Sequence, residues 1–168
     1  ILVDNSQVIM SSLFAQRDLD YTDESLIRHM VLNTYRMYRK RFGKEYGELV
    51  LCQEGQGGAY SWRRKFFPLY KASRREARKD NPEMWKRFYE IMDTVRTEVR
   101  DVFPYRNISV AGCEADDVIA SYAKQESGPT RIITGDRDLF QLVNDVHDVK
   151  VVYLAKGVSN HDLVDLSW

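Results

Sequence analysis

Short apolar runs alternate with helical patterns along this chain of 168 residues, and several of the runs end in an acidic side chain. The runs fall at residues 1–4, 48–52, 107–111, 131–134 and 149–154. Thr22 or Asp23 begins a helical pattern that we expect to end near Gly43, and Asn81 begins another that we expect to reach Val102. Alternating strands and helices of this kind predict an α/β domain with a mostly parallel central sheet flanked by helices.

The densest acidic group lies at one of the strand-to-helix junctions. Glu114, Asp116 and Asp117 follow the run Ile-Ser-Val-Ala at 108–111, which we interpret as a buried strand, and precede a helical pattern. Carboxylates at the start of a helix are favoured by its dipole, so capping accounts for one or two of them. Crowded carboxylates also raise one another's pKa or hold a cation. Taken by itself, this acidic triplet is equally compatible with capping and with metal binding.

Acidic residues follow four of the predicted strands. Parallel strands place their carboxyl ends at one edge of a sheet, where α/β proteins bind ligands, so we expect these side chains to converge. Capping explains one such strand end well and four poorly. Without a His or Cys ligand pattern beside them, converging carboxylates favour Mg²⁺ or Mn²⁺ over zinc, and two such ions about 4 Å apart would clamp an in-line displacement at phosphorus. The predicted metal-binding residues are Asp4, Glu54, Glu114, Asp116, Asp117, Asp136 and Asp138.

Basic and aromatic side chains are interleaved between residues 60 and 79, although 25 Lys and Arg balance 25 Asp and Glu over the whole chain. Rings stack on unpaired bases while Lys and Arg bind phosphates, so the pattern predicts a segment that binds single-stranded nucleic acid. A solvated helix with core aromatic residues is the alternative, but it does not explain the excess of positive charge. The predicted nucleic-acid-binding residues are Tyr60, Trp62, Arg63, Arg64, Lys65, Tyr70, Lys71, Arg74, Arg75 and Arg78.

Other features of the sequence bear on its setting. Cys52 and Cys113 end or follow apolar runs, and we expect both to be buried free thiols in a reducing, cytoplasmic environment. No apolar stretch is long enough to span a membrane, and we expect no signal peptide. The chain begins within a predicted strand without Met and ends abruptly, so we expect it to be a fragment of a longer protein.

Two motifs resemble those of the 5′-nuclease superfamily, which includes flap endonucleases and the 5′-nuclease domains of bacterial DNA polymerases. They are Cys-Glu-Ala-Asp-Asp at 113–117 and Thr-Gly-Asp-Arg-Asp-Leu-Phe-Gln-Leu at 134–142. Segments 49–52, 60–64 and 66–74 are most similar to the RNase H branch of T-even bacteriophages, which are 5′-to-3′ exonucleases and flap endonucleases. The resemblance spans nearly the whole chain.

The resemblance implies a PIN-like 5′-nuclease domain over residues 1–168, with a helical arch or clamp at residues 60–102 and without the family's C-terminal helix-hairpin-helix region. It implies an enzyme that uses two Mg²⁺ ions, or Mn²⁺ in their place, to hydrolyse the phosphodiesters of DNA flaps and RNA primers in replication. Carried over by position, Asp4, Asp116, Asp136 and the acid at 54 are metal ligands, and the other acids complete the cluster, some through water. Lys71 and Arg74 match the residues that steer the scissile phosphate.

The same resemblance implies partners and setting. The substrates are DNA and RNA/DNA hybrids with 5′ ends or flaps, and a single-stranded-DNA-binding protein or a sliding clamp of the replisome is the candidate protein partner. We expect a monomer without membrane association, in the cytoplasm, or in the host cytoplasm if the chain is of phage origin.

Two alternative functions stay open, and one of them rests on a departure from the family pattern. The family usually has Asp where this chain has Glu54, which extends the reach of the carboxylate by one methylene. A non-catalytic nucleic-acid-binding module, marked by this Glu, is therefore one alternative. A PIN-type ribonuclease shares an acidic sheet edge and is the other, although small PIN ribonucleases lack an insertion as long as residues 60–102.

Overall fold

The computed structural model describes residues 1–14, 20, 23–55, 62–154 and 164–166; the side chains of residues 12, 74, 75, 77 and 164–166 lie outside this description. The strands are β1 (Leu2–Asp4), β2 (Val50–Glu54), β3 (Arg106–Val110), β4 (Thr130–Thr134), β5 (Val149–Tyr153) and β6 (Val164–Leu166). The α-helices are α1 (Asn5–Phe14), α2 (Glu24–Tyr46), α3 (Trp62–Phe66), α4 (Ala72–Ala77), α5 (Pro82–Val102) and α6 (Ala115–Gln125). Short 3₁₀ helices cover Arg78–Asp80 and Arg137–Leu142.

The described strands form one sheet in the order β3-β2-β1-β4-β5-β6. The first five strands in the chain run parallel, and β6 pairs with β5 in the antiparallel sense. The predicted α/β fold with a mostly parallel sheet is therefore confirmed. The chain places β2 and β3 on one side of β1 and then β4, β5 and β6 on the other side. The direction in which strands are added therefore reverses between β1 and β4. Ligand-binding crevices of open α/β sheets lie at such a switch point, beyond the carboxyl ends of the strands.

Helices cover both faces of the sheet, because adjacent residues of a strand point to opposite faces. Val3, Leu51 and Ile133 face a core built with α1, α2 and α5. Their neighbours Leu2 and Val50 face a second core that contains the buried residues of α6. The central strands are thus held on both faces, which gives the residues at their carboxyl ends a rigid base.

The two long helices test the sequence predictions. The predicted start of α5 is confirmed, since the Asn81 side chain accepts a hydrogen bond from the backbone N–H of Met84 and Pro82 is the first helical residue. The predicted end of α2 at Gly43 is wrong. The helix continues to Tyr46, whose buried ring extends the apolar stripe by one turn, and it ends at Gly47, which has a φ of 75°.

The strand before the acidic triplet is not buried as predicted. β3 lies at the edge of the sheet, and Ser109 and Val110 are exposed on it. Cys113, which we expected to be buried, is half-buried. Cys52 on the more central β2 is fully buried as expected, and both thiols are free. The residues that follow Asp136 form a 3₁₀ helix, Arg137–Leu142.

The region predicted as an arch divides into two parts. From Phe88 onward, α5 belongs to the core, with its apolar stripe packed on the sheet. Residues 62–80 lie outside that core: α3 and the 3₁₀ helix Arg78–Asp80 contain no buried residue, and the Phe66 ring is 82% exposed. We refer to residues 62–80 as the basic arm.

Within the described ranges, no helix is both long enough and apolar enough to cross a lipid bilayer.

Candidate functional site

Asp4 lies at the carboxyl end of β1, beside the switch point, and is 5% exposed. Its Oδ1 accepts a hydrogen bond from the backbone N–H of Gln7 at 3.2 Å, and its Oδ2 accepts one from the Thr134 hydroxyl at 3.0 Å. The same hydroxyl oxygen accepts the backbone N–H of Asp136 at 3.0 Å, and the Asp136 carboxylate accepts the backbone N–H of Asp138 at 2.9 Å. This chain of bonds fixes the end of β1 against the turn that follows β4.

Two neighbouring acids affect the Asp4 carboxylate. Burial, together with the nearby charges of Asp116 and Asp136, raises the pKa of Asp4 from 3.8 to about 6, although its two hydrogen bonds oppose the change. Burial also raises the pKa of Asp116, which Arg63 partly offsets. Asp4 therefore lies near enough to Asp116 and Asp136 for their charges to act on it, and we refer to this part of the sheet edge as the acidic crevice.

The acidic triplet combines capping with clustering. Glu114 is the N-cap of α6, and the Asp117 Oδ2 accepts its backbone N–H at 3.0 Å. The Asp116 Oδ1 accepts the backbone N–H of Asp117 at 3.0 Å. Capping thus explains the position of Asp117, while the charge of Asp116 also acts on Asp4.

The basic arm is docked on this triplet through Arg63. The Arg63 guanidinium donates from Nη1 to Asp117 Oδ2 at 2.7 Å and from Nη2 to Asp117 Oδ1 at 2.9 Å, a bidentate arrangement. Its Nη2 is also 3.4 Å from Asp116 Oδ2, and its Nη1 is 3.6 Å from Glu114 Oε2. Although burial raises the pKa of Asp117, hydrogen bonds from Arg63, from the Glu114 amide and from Trp62 hold it below its ordinary value.

Aromatic side chains and a lysine complete the docking. The Trp62 indole N–H donates to Asp117 Oδ2 at 3.2 Å, and the Arg63 guanidinium lies 4.8 Å from the centre of the Trp62 ring. The Tyr70 hydroxyl donates to Glu114 Oε2 at 3.0 Å, and Lys71 Nζ lies 3.0 Å from the same oxygen. Lys71 has a left-handed backbone with a φ of 56°, a conformation that non-glycine residues adopt rarely and that often occurs at functional positions.

Two predicted ligands lie apart from these contacts. Glu54 ends β2, and its side chain is exposed. The Asp138 side chain is also exposed, and its described hydrogen bond to Asp136 is made by its backbone. Across the ranges that the structure describes, no three His, Cys, Asp or Glu side chains are arranged to hold a single ion directly. Metal ligation by the seven acids therefore remains a prediction, which charge and donor chemistry support at the crevice.

The remaining predicted nucleic-acid-binding residues are distributed along the arm. Arg64 is half-buried, Lys65 is exposed, and the Arg78 guanidinium packs over the rings of Trp85 and Tyr89 on α5. Tyr60 and the side chains of Arg74 and Arg75 lie outside the described part of the chain.

Two features of the site were not predicted from the sequence. Thr134 links Asp4 to Asp136, and a hydroxyl at the end of an apolar run beside acidic residues is the signal that could have identified it. Gly55 is the other: a Cβ there would lie 1.9 Å from the Val110 carbonyl oxygen. The Gly55 N–H donates to the Cys113 carbonyl at 3.1 Å, and the Trp62 N–H donates to the Gly112 carbonyl at 3.1 Å. These bonds bring both ends of the segment between β2 and α3 against the loop that carries the acidic triplet.

The fold is shared with proteins of known structure. It aligns over 90% of this chain, with a TM-score of 0.63 and 18% identity, with a bacteriophage T5 flap endonuclease solved as a pseudo-enzyme-product complex with DNA and metal ions. The alignment covers 53% of that chain. The architecture is therefore that of the PIN-like 5′-nuclease domains.

Sequence comparison then gives the family. The family described as "5'-3' exonuclease, N-terminal resolvase-like domain" matches residues 1–166, and the chain belongs to it. A 5'-3' exonuclease of Streptomyces coelicolor is 40% identical over 124 residues, which are 70% of this chain and 40% of that protein. The ribonuclease H of Enterobacteria phage T4 is 32% identical over 146 residues, 84% of this chain and 48% of that protein. The resemblance to the 5′-nuclease superfamily is confirmed, and the chain spans less than half the length of these two relatives.

Proposed function

We propose that the chain forms the catalytic part of a divalent-metal-dependent 5′-to-3′ exonuclease and flap endonuclease, which hydrolyses the phosphodiesters of DNA flaps and RNA primers in replication. The observation that supports this proposal is the buried Asp4 carboxylate at the switch point of the sheet, which is linked through the Thr134 hydroxyl to Asp136 and lies near the charge of Asp116. Membership of the 5'-3' exonuclease family supports the same chemistry.

The residues of the crevice fit a hard divalent cation in chemistry and charge. A buried carboxylate whose pKa is raised by burial and by two neighbouring acids is stabilised as an anion by a cation beside it. Asp4, Asp116 and Asp136 would hold the metal, and Glu54, Glu114, Asp117 and Asp138 would complete the site, in part through water. When bound, a pair of Mg²⁺ ions, or Mn²⁺ in their place, lowers the pKa of an attacking water and stabilises the leaving oxygen.

The basic arm supplies the binding surface for the substrate. Lys71 lies 3.0 Å from Glu114 and so is placed at the margin of the crevice, where it would steer the scissile phosphate together with Arg74. The exposed rings of Trp62, Phe66 and Phe67 would stack on unpaired bases of a 5′ flap or end. This proposal places the protein in the cytoplasm that holds the replicating DNA, as a monomer, with a single-stranded-DNA-binding protein or a sliding clamp as its candidate partner.

The decisive experiment measures cleavage of a 5′-labelled flap DNA with Mg²⁺ by the chain and by its Asp116→Asn and Asp136→Asn variants. Each variant removes a metal-binding charge, and a loss of several kcal/mol of transition-state stabilisation slows cleavage by about a thousandfold. Binding of the flap, measured by fluorescence anisotropy, should persist. Asp145→Asn, in an exposed turn, is the matched control and should cleave at the parent rate. Near-parent cleavage by either crevice variant contradicts metal catalysis at this edge.

The same assay separates the two alternatives when single-stranded RNA is tested beside the flap. A PIN-type ribonuclease would cleave the RNA and leave the flap intact. A non-catalytic module would bind the flap and cleave neither substrate with Mg²⁺ or Mn²⁺. Cleavage of the flap that begins at its 5′ side supports the proposed function.

A further inference from the structure

We propose that Arg63 is an exchangeable counter-cation of the acidic crevice. It holds α3 over Asp116 and Asp117 until a divalent cation takes its place, so that metal binding frees α3, the first helix of the basic arm, to receive nucleic acid. This inference rests on the proposed metal-dependent function.

The first observation is the number of carboxylates that share this one guanidinium. Arg63 forms a two-bond fork with Asp117, at 2.7 and 2.9 Å, and lies within 4 Å of both Asp116 and Glu114. These are the carboxylates of the triplet that the proposed metal site requires. A planar guanidinium matches a carboxylate well, and such charge-assisted pairs are the stronger class of hydrogen bond.

The second observation is that Arg63 and a metal ion would neutralise the same carboxylates, those of Asp116 and Asp117. The oxygens of Asp116 and Asp117 that Arg63 contacts cannot also face an ion without weakening the fork. A divalent cation on Asp116 would repel the guanidinium, which is 3.4 Å from that side chain. Binding of the cation and docking of Arg63 are therefore coupled negatively, and the coupling acts in both directions.

The third observation is the small size and the exposure of α3. The helix has five residues, none of them buried, and so short a helix has no stability of its own. Trp62 makes two further bonds to the acidic loop, one from its backbone to Gly112 and one from its indole to Asp117. The indole therefore bonds the same carboxylate as Arg63. Loss of the Arg63 fork would loosen α3, and Trp62 would report the change.

The test titrates the protein with Mn²⁺ in the absence of nucleic acid, by isothermal titration calorimetry. Arg63→Gln should bind Mn²⁺ about tenfold more tightly than the parent, since removing a competing cation is worth on the order of 1.4 kcal/mol. Arg63→Lys keeps the charge but lacks the planar fork, and its Kd should fall between the two. Lys65→Gln removes the same charge from the same helix at an exposed position, and its Mn²⁺ affinity should match the parent.

A second readout follows the arm itself. Mn²⁺ should change the tryptophan fluorescence of the parent, and Trp62→Phe should abolish this change while leaving Trp85 and Trp168 in place. Hydrogen exchange of the amides at 62–66 should accelerate with Mn²⁺ in the parent and should already be fast in Arg63→Gln. Circular dichroism confirms that each variant is folded, and Arg63→Lys decides the question if Arg63→Gln is not.

The outcomes distinguish this inference from the function on which it rests. If the parent binds Mn²⁺ and Arg63→Gln binds it equally or more weakly, Arg63 does not compete with metal and the inference is overturned, while the proposed metal site stands. A different result is that Arg63→Gln binds Mn²⁺ more tightly while Mn²⁺ changes neither the Trp62 fluorescence of the parent nor its hydrogen exchange at 62–66. That result overturns the proposed release of α3. If neither protein binds Mn²⁺, the proposed metal dependence fails, and the inference fails with it.

Discussion

Among the individual residues, Asp4 keeps its carboxylate in a buried position that raises the free energy of its charged form. Its two hydrogen bonds lower its pKa, but burial and the charges of Asp116 and Asp136 outweigh them and raise the pKa to about 6. The carboxylate is therefore held as an anion at neutral pH in a place that disfavours the charge. Ionisable groups with pKa values shifted in this way are typical of functional sites, where they are retained at some loss of stability.

We predict that Asp4→Asn stabilises the chain at pH 8 in the presence of a chelator. The folded state binds a proton to Asp4 more tightly than the unfolded state does, so stability from this group is present at low pH and lost as pH rises from 3.8 toward 6. The neutral variant avoids that loss, which is worth on the order of 1 to 3 kcal/mol. Urea unfolding at pH 8 should show the gain, and at pH 4 the two proteins should be nearly equal. Equal stability at pH 8 would contradict the raised pKa, and Mg²⁺ should stabilise only the parent.

Glu54 stands where the resemblance to the 5′-nuclease superfamily predicts an Asp. Because its side chain is exposed beyond the end of β2, we expect it to act on a metal through water, and Mn²⁺ to tolerate this arrangement better than Mg²⁺. Glu54→Asp should therefore raise the rate with Mg²⁺ relative to the rate with Mn²⁺. Glu54→Gln should lower both by about tenfold, as for other outer-sphere groups. Flap cleavage measures the rates, and Glu48→Gln at the opposite end of β2 is the control. Parent-like rates for Glu54→Gln with both ions would make Glu54 a solvated loop acid.

At the scale of elements, the chain shows which predictions depend on local sequence. The caps and apolar stripe of α5 were predictable, because an N-cap, a first-turn proline and a helical repeat act within one helix. The exposure of β3 was not, because a strand becomes an edge through the order of the whole sheet. The docking of Arg63 on Asp117 joins residues 54 positions apart and depends on the close contact at Gly55, which no local pattern encodes.

The basic arm gives a prediction about salt. Lys71→Ala should slow flap cleavage and should flatten the decline of flap binding with salt by about one phosphate contact, or a slope change of about 0.7 for a single strand. Measuring Kd by anisotropy across a range of salt concentrations gives the slope. Lys86→Ala removes an exposed charge from α5, outside the arm, and should leave the slope unchanged. If both variants keep the parent slope and rate, the arm is only a solvated helical segment.

Two glycines, one inside helix α2 and one at its C-cap, have opposite expected behaviour. At Gly43, inside the helix, an added Cβ would meet only the Arg39 side chain at 3.7 Å, so Gly43→Ala should stabilise the chain by about 0.5 to 1 kcal/mol. Gly47 ends the helix with a φ of 75°, so Gly47→Ala should destabilise it although the site has open space. Urea unfolding of both variants gives the comparison. A destabilised Gly43→Ala would show that the helix is not regular there.

For the whole molecule, the sequence predicted the parallel sheet and the edge that carries the acids. It did not predict which of those acids lie next to one another. Strand ends with acids can be identified from apolar runs, and parallel strands bring them to one edge. Which of them interact depends on the strand order: β1 and β4 are neighbours at the switch point, which unites Asp4 with Asp136. Glu54 ends β2 on the other side of β1, and its side chain is exposed.

The bond between Thr134 and Asp4 spans 130 residues of sequence, and this separation determines when the crevice forms during synthesis. A ribosome releases β1 early, yet β1 gains its neighbour on the switch-point side only after β4 has emerged. Long-range pairings of this kind form late, because the chain between them must first be ordered. Residues 1–136 must therefore be synthesised before Asp4 and Asp136 can meet, and the nuclease site we propose cannot assemble until β4 has left the ribosome.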